Sequence, residues 1–217
     1  MFEYDQTINA NSYNYRKVHY QIRLKDLLYH LYKCYRNLIF DKVLVPQKEN
    51  DIRDILVDNY FLKDIHEFTF KKETNNNLGR VDIYIIKNKT ELDLKPHFIV
   101  ECKLLNNINI NGKDGLNGKY ITNGIQRFLT EHYYLNNNFN TNIMLGFIIE
   151  KLDIASNIDA INALSEKVFK NIVAIKQPII LDTSNIYKSA YQTGKPEKDF
   201  FVYHLMMDFS NNLIQSE

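Results

Sequence analysis

Two apolar runs joined by a polar link constrain this fold more than any other feature, because each run carries an acidic residue at a matching position. Residues 79–86 contain Asp82, and residues 97–104 contain Glu101. Both runs have the composition of β-strands, and the polar link at 87–96 is typical of a hairpin connection. If the runs pair antiparallel about the middle of that link, Asp82 lies directly opposite Glu101. The sequence therefore predicts a hairpin that places two carboxylates side by side.

A basic side chain joins these two acids. Lys103 follows Glu101 by two positions, and side chains two positions apart on a strand lie on the same face. Cys102, between them, is expected to point to the opposite face. The hairpin thus predicts two carboxylates and one ammonium on a single patch flanked by apolar residues. A structural ion pair between Asp82 and Lys103 at a sheet edge would explain two of the three charges, but it would leave Glu101 unexplained.

The composition excludes several classes of protein. The 217 residues are 45% hydrophobic and 24% charged, which is typical of a globular domain. The net charge of +1 gives no overall attraction to polyanions, so any affinity for nucleic acid must be local. Cys34 and Cys102 are too few for a disulfide framework and form no metal-spaced pair. Residues 1–10 lack a signal-peptide pattern and no run is long enough to span a membrane, so we expect a cytoplasmic protein with no membrane partner.

Two helices are predicted before the hairpin. Residues 15–40 indicate an amphipathic helix, with apolar residues spaced three and four apart at Leu24, Leu28, Leu31, Tyr35 and Leu38. Residues 48–61 predict a second helix, whose apolar face carries Ile52, Ile55, Leu56 and Tyr60. Glu49 falls on that same face. Either its carboxylate meets a partner at a site, because an unpaired buried charge is costly, or it favours the helix N-terminus through the helix dipole.

Strands and helices alternate along the rest of the chain. Strands are predicted at residues 66–71, 80–87, 98–104, 142–150, 177–181 and 200–209, and helices at 120–135 and about 156–170. Ser156 and Asp159 resemble a capping box for the last helix. Residues 105–119 are rich in Asn, Gly and Lys, which indicates a flexible loop beside the two acids. The order predicts one α/β domain over residues 1–217, with a central mixed β-sheet flanked by helices.

The converging charges suit the hydrolysis of a phosphodiester bond. This reaction needs a more acidic water and a neutralised phosphate, and a hard divalent cation supplies both. Mg²⁺ prefers oxygen ligands, which Asp82, Glu101 and the main-chain carbonyl of Cys102 would provide. Lys103 would orient the attacking water and stabilise the developing negative charge. The expected cofactor is therefore Mg²⁺, with Mn²⁺ as the other candidate.

The order of these elements resembles the PD-(D/E)XK nuclease superfamily, the restriction-endonuclease-like proteins. The resemblance covers about residues 49–150, in which Asp82 matches the first motif acid, Glu101 the second acid and Lys103 the motif lysine. Glu49 resembles the acid that many members carry on the first core helix. The resemblance therefore adds Glu49 to the expected catalytic residues and metal ligands.

The same resemblance implies a division of the chain and an activity. Residues 46–150 would form the restriction-endonuclease-like core, with an N-terminal helical extension at 1–45 and a C-terminal helix and sheet extension at 151–217. One departure is Val81, which stands where the eponymous proline would lie. The implied activity is that of a metal-dependent nuclease, in the first place a DNA endonuclease of restriction, defence or repair type.

Four further residues are expected to bind the substrate. Gln126 and Arg127 lie on the predicted helix after the hairpin, where members of the superfamily often place a residue that contacts the phosphate or the lysine. Lys113 and Lys119, in the neighbouring loop, are candidates for phosphate anchors. The expected partner is nucleic acid, with DNA ahead of RNA, and the protein would act as a homodimer or within a larger defence complex.

Two alternatives keep the fold without independent catalysis. One is a catalytically silent nucleic-acid-binding module, although the retention of all three motif residues argues against it. The other is a nuclease-fold subunit of a larger complex, whose cleavage depends on a partner. A consequence for stability also follows from the charges. If the acids repel one another without metal, Glu101→Gln should keep or raise the melting temperature while abolishing cleavage.

Overall fold

A central sheet of seven strands organises the protein, for which a computed structural model describes residues 10–76, 79–88, 97–129, 141–169, 172–178, 185–191 and 200–215. The strands are β1 (Phe68–Asn76), β2 (Gly79–Lys87), β3 (His97–Leu105), β4 (Thr141–Ile148), β5 (Ile172–Pro178), β6 (Ile186–Tyr191) and β7 (Phe200–Asp208). Their spatial order is β1-β2-β3-β4-β7-β6-β5. β4 is parallel to both β3 and β7, and the four outer pairs are antiparallel. The predicted mixed sheet is confirmed.

Helices flank this sheet, and two of them contain a π-helical turn. The helices begin as α1 (Ala10–Phe40), α2 (Glu49–Leu56), α3 (Leu116–Tyr120) and α4 (Ile154–Val168). α2 continues into a π-helical turn at Val57–Phe61 and a last turn at Leu62–Asp64. α3 continues into a π-helical turn at Ile121–Ile125 and then Gln126–Leu129. Such wider turns are rare and frequently lie at functional sites.

The two faces of the sheet carry separate apolar cores. α1 and α2 pack on the face to which Val100 and Cys102 point, and the predicted apolar positions of α1 are buried there. α3 and α4 pack on the other face, against residues that include Leu105 and Met144. Because side chains alternate along a strand, Glu101 and Lys103 lie on this second face. Cys102 therefore points away from them, as predicted.

Several details differ from the sequence-based expectation. α4 begins at Ile154, and its cap is Asp153, whose Oδ1 accepts a hydrogen bond from the Ser156 backbone N–H at 2.7 Å. The predicted capping box at Ser156 is thus wrong, because Ser156 donates to the Asp153 carboxylate and is not itself the N-cap. α3 begins inside the predicted loop, β5 begins five residues before the strand predicted at 177–181, and β6 was not predicted. Residues 179–181 of that predicted strand lie outside the described residues. Residues 130–135 of the predicted helix lie outside the described residues.

The hairpin of β2 and β3 has the predicted register, with Ile83 opposite Val100. The regular pairing of β2 with β3 ends at Ile83, so it does not extend to Asp82. On the other side, the pairing of β2 with β1 skips the position of Asp82, where Glu73 on β1 has a positive φ of 47°. The backbone around Asp82 is therefore irregular on both sides. Backbone departures of this kind re-aim a side chain away from the normal pleat.

Among the described residues, no helix is both long enough and apolar enough to cross a membrane.

Candidate functional site

The ammonium of Lys103 is the centre of the site. Its Nζ lies 3.1 Å from Oε1 of Glu49, 3.3 Å from Oε2 of Glu101 and 3.6 Å from Oδ2 of Asp82. It also donates a short hydrogen bond to the main-chain carbonyl of Cys102. The structure thus brings together every residue that the sequence predicted as catalytic or metal-binding. We call Glu49, Asp82, Glu101 and Lys103, with the Cys102 carbonyl, the Lys103 cluster.

Three elements supply the acids, and they differ in their access to solvent. Glu101 on β3 is fully buried, and Asp82 on β2 is nearly so. Glu49 is the first residue of α2, and its side chain is 31% exposed. Glu49 therefore has both of the features considered from the sequence. It stands at the positive end of a helix, and its carboxylate pairs with the buried ammonium of Lys103. The cluster opens to solvent on the Glu49 side.

The carboxylate of Asp82 is tied to the neighbouring strand. The backbone N–H of Cys102 donates a hydrogen bond to Oδ2 of Asp82 at 2.9 Å. The other oxygen, Oδ1, faces Nη1 of Arg53 at 3.9 Å. The hydrogen bond joins the Asp82 side chain to the backbone of β3. The Cys102 peptide therefore contacts the site twice, with its N–H on Asp82 and its carbonyl on Lys103.

The turn after α3 brings a second cation to Glu101. Nη1 of Arg127 lies 3.1 Å from Oε2 of Glu101, and the Arg127 side chain is 39% exposed. Gly124 permits this close approach, because a Cβ there would lie 2.5 Å from Cε of Met144 and 3.4 Å from Cγ of Lys103. The wide helical turn thus packs its backbone against side chains of β3 and β4. Arg127, expected to contact substrate, contacts a carboxylate of the site in this structure.

The other expected substrate-binding residues lie further from the centre. Gln126 is adjacent to Arg127 and partly buried, and Lys113 and Lys119 are exposed. Within the described part of the chain, no ion pair or hydrogen bond joins the Lys113 or Lys119 side chain to the Lys103 cluster. Exposed lysines can contact a phosphate backbone, so the substrate-binding role of Lys113 and Lys119 stays a prediction.

Electrostatics keep Lys103 charged and Cys102 neutral. Burial alone would lower the pKa of the Lys103 ammonium, but Glu101, Asp82 and Glu49 outweigh it and raise that pKa above its ordinary value. Burial raises the pKa of the Cys102 thiol well above its usual range, and Asp82 adds to the effect. A neutral thiol that points to the opposite face is not a nucleophile for this site. The chemistry therefore lies with the carboxylates and the lysine.

The donor set fits a hard divalent cation. The four groups around Lys103 all offer oxygen atoms, and three of them are carboxylates, which suits Mg²⁺ or Mn²⁺. Among the described residues, no three His, Cys, Asp or Glu side chains already form a cluster that could hold a metal ion. Because the ammonium lies between these oxygens, a divalent ion would compete with it for them.

Sequence reasoning missed Arg53, which is buried beside Asp82. It also missed the ion pair between Arg53 and Glu73 of β1, which measures 2.9 Å. The spacing of Arg53 from Glu49 could have indicated it, because residues four apart lie one helical turn away on the same side of a helix.

A second buried polar group lies on the same face of the sheet. Tyr120 and His204 share a hydrogen bond of 2.8 Å at Nδ1 of the ring, and Ser189 meets Nε2 at 2.7 Å. All three side chains are buried. Burial lowers the pKa of His204 to about 3, so the ring is neutral at physiological pH. We call these three residues the His204 chain.

Comparisons of the chain with protein-family models, with curated proteins and with solved structures give no match. The resemblance to the PD-(D/E)XK superfamily therefore stays a prediction from the sequence.

Proposed function

We propose that this protein is a metal-dependent nuclease that hydrolyses phosphodiester bonds, with DNA as its substrate and Mg²⁺ or Mn²⁺ as its cofactor. The observation that carries the proposal is the convergence of three carboxylates and one main-chain carbonyl on Lys103. The β2–β3 hairpin beside the parallel strand β4, with helices on both faces, supports a restriction-endonuclease-like core. A defence, restriction or repair role belongs to the same proposal.

Each residue has a role that follows from its position. Asp82, Glu101 and the Cys102 carbonyl would hold the metal ion, with Glu49 completing the ligands from the solvent side. The bound ion would acidify a water and neutralise charge on the phosphate. Lys103, freed from part of its carboxylate contacts, would donate hydrogen bonds to the charge that develops on the phosphate oxygens. Arg127, which is partly exposed beside Glu101, can turn towards the nucleic acid.

A second candidate is favoured by the charge balance of the site. Three acids of the cluster meet the cations Lys103, Arg127 and Arg53, so the cluster is compensated without metal. A nuclease-fold module that binds nucleic acid without cleaving it, or a subunit that needs a partner, would keep such a network for stability. Metal binding separates the enzyme from the silent binding module, because only the enzyme requires an ion at these oxygens. A partner-dependent subunit would instead show weak or absent cleavage alone and a stable association in a pull-down.

The decisive experiment incubates the purified chain with plasmid, linear and single-stranded DNA and with RNA, in Mg²⁺, Mn²⁺, Ca²⁺ or EDTA. We expect cleavage of DNA in Mg²⁺ or Mn²⁺ only, and its loss in Asp82→Asn. Asp26→Asn on α1 is the matched control, because it makes the same chemical change at a half-exposed carboxylate whose ion pair is with Arg23, and it should cleave as the wild type does. Equal cleavage by Asp82→Asn, or no cleavage together with no Mn²⁺ binding by the wild type, would overturn the proposal.

A further inference from the structure

Arg53 is a buried cation to which the proposed chemistry assigns no role. It lies on α2 and is only 2% exposed. Burying a guanidinium is costly unless its donors are paired, so its environment explains why it is tolerated. Two of its three nitrogens are anchored. Nε donates to Oδ1 of Asp54 at 2.8 Å, and Nη2 donates to Oε1 of Glu73 at 2.9 Å.

The third nitrogen of Arg53 is different. Nη1 is buried and has no hydrogen-bond partner, although it lies 3.9 Å from Oδ1 of Asp82. That distance is too long for a hydrogen bond, but it is an ion-pair distance in a place that water does not reach. Burial alone would lower the pKa of Arg53, but the hydrogen bonds to Asp54 and Glu73 raise it above its ordinary value. The guanidinium therefore presents a permanent charge to Asp82.

Asp82 needs such a partner, because the sheet does not set its orientation. The regular pairing of β2 stops or skips at this residue on both sides, and Glu73, opposite it, has a positive φ. Oδ2 is held by the N–H of Cys102, and Oδ1 faces only Arg53 among the ion pairs of the described residues. The carboxylate is thus fixed from two sides, by β3 and by α2.

We propose that Arg53 is a positioning residue, which holds the Asp82 carboxylate in the orientation that binds the metal ion and sets its spacing from Glu49 on the same helix. The inference rests on the proposed function of the Lys103 cluster. A planar guanidinium can do this because its nitrogens point in fixed directions, so two of them anchor the group while the third faces Asp82. Partners behind metal ligands typically change metal affinity by about 10–100-fold.

The test compares Arg53→Met with Lys72→Met in the full chain. Lys72 is the matched control, because its Nζ lies 3.6 Å from Asp54 and 2.6 Å from Asp58. Its replacement therefore also removes a cation that pairs with Asp54, as Arg53 does. In Arg53→Met, we expect the Mn²⁺ concentration for half-maximal cleavage to rise by at least about tenfold, while KM for DNA stays unchanged. Lys72→Met should change neither quantity.

A metal-free measurement separates this inference from the proposed function. The Cys102 amide reports on Asp82, because its hydrogen bond ends on that carboxylate. In EDTA, Arg53→Met should accelerate hydrogen exchange of the Cys102 amide selectively, beyond any uniform change in the other amides of β3. If the wild type neither cleaves nor binds Mn²⁺, the proposed function fails, and a selective change at Cys102 still supports the hold of Arg53 on Asp82.

Two results would overturn the role of Arg53. One is an active Arg53→Met variant with the metal dependence of the wild type, whatever its melting temperature. The other is a Cys102 amide that changes only in step with the whole strand. If Arg53→Met does not fold, Glu73→Gln replaces it, because it loosens one anchor at a partly exposed side chain and leaves the guanidinium in place. A smaller shift in the same direction is expected, and no shift contradicts the proposal.

Discussion

The Lys103 cluster and the His204 chain are both buried polar groups on the face of the sheet that α3 covers, but they offset the cost of burial in opposite ways. The Lys103 cluster keeps its charges and balances acids with cations. The His204 chain keeps no charge, because a neutral ring shares hydrogen bonds with Tyr120 and Ser189. Both arrangements satisfy buried polar atoms, which are expensive when left unpaired.

Solvent access decides what each group can do. Glu49 and Arg127, at the edges of the Lys103 cluster, are 31% and 39% exposed, so the cluster is open to solvent. The members of the His204 chain are all buried. A charged cluster with an opening can exchange one cation for another, whereas a sealed neutral chain can only fix its neighbours in place. We therefore expect substitutions in the first to change activity and those in the second to change stability.

Glu101→Gln should have the largest effect on activity. It removes a buried carboxylate that would bind the metal, and we expect the cleavage rate in saturating Mg²⁺ to fall by about a thousandfold or more, a loss of several kcal/mol. Single-turnover cleavage of plasmid DNA measures it. Ser189→Ala, in the His204 chain, is the control and should cleave at the wild-type rate. Cleavage by Glu101→Gln within tenfold of the wild type would remove Glu101 from the site.

The ion pairs of Glu101 change the melting temperature that we expect for the same variant. Repulsion between unpaired acids would make Glu101→Gln neutral or stabilising, but Glu101 pairs with Lys103 and Arg127 in the structure. Removing one member of a buried charge network leaves the others undercompensated. We now expect the metal-free variant to melt at a lower temperature than the wild type. A raised melting temperature in EDTA would restore the repulsion argument.

Lys103→Ala should lower the cleavage rate by about a hundredfold, comparable to the loss of one preorganised donor. Affinity for DNA in Ca²⁺ should hardly change, because the effect falls on the barrier and not on ground-state binding. The exposed Lys119 provides the opposite case, since Lys119→Ala should weaken binding and reduce its salt dependence while sparing the rate at saturation. If Lys103→Ala instead weakens binding and turns over normally once saturated, Lys103 is an anchor.

The sequence predicted the hairpin and its acids because these depend on local patterns. The register of β2 and β3 followed from two apolar runs of similar length around one link, and the shared face of Glu101 and Lys103 followed from the period of a strand. The ends of α4 were less predictable, because Asp153 and Ser156 are both good capping residues and only the backbone shows which side chain accepts.

Contacts between distant elements could not be predicted in the same way. From the sequence alone, Arg53 has the pattern of a surface residue on an amphipathic helix. Its contacts with Glu73 of β1 and Asp82 of β2 depend on the tertiary fold. β6 was missed because Lys188 and Ser189 interrupt its apolar residues, and its partners β5 and β7 supply the burial that the pattern lacks.

His204→Asn should change the pH dependence of stability more than activity. The folded pKa of about 3 lies below the unfolded value of 6.5, so the unfolded chain takes up the proton first and stability is lost as pH falls from about 6.5 towards 3. At pH 5 this contribution costs the wild type about 2 kcal/mol relative to pH 7. Urea unfolding at several pH values should show a shallower acid slope for the variant. An unchanged slope would mean that folding does not lower the pKa of His204.

The smallest effect is expected for Ser189→Ala, which leaves Nε2 of His204 without a partner. We expect a loss of about 1–3 kcal/mol in unfolding free energy at pH 7, because a buried polar atom is unsatisfied. Tyr120→Phe should cost a similar amount through Nδ1, and the double variant should cost less than the sum, because both bonds belong to one ring. Chemical unfolding of the three variants measures the coupling, and cleavage assays accompany it. If either single variant slows cleavage at full folding, the His204 chain supports the Lys103 cluster through α3, and the separation between the two regions is wrong.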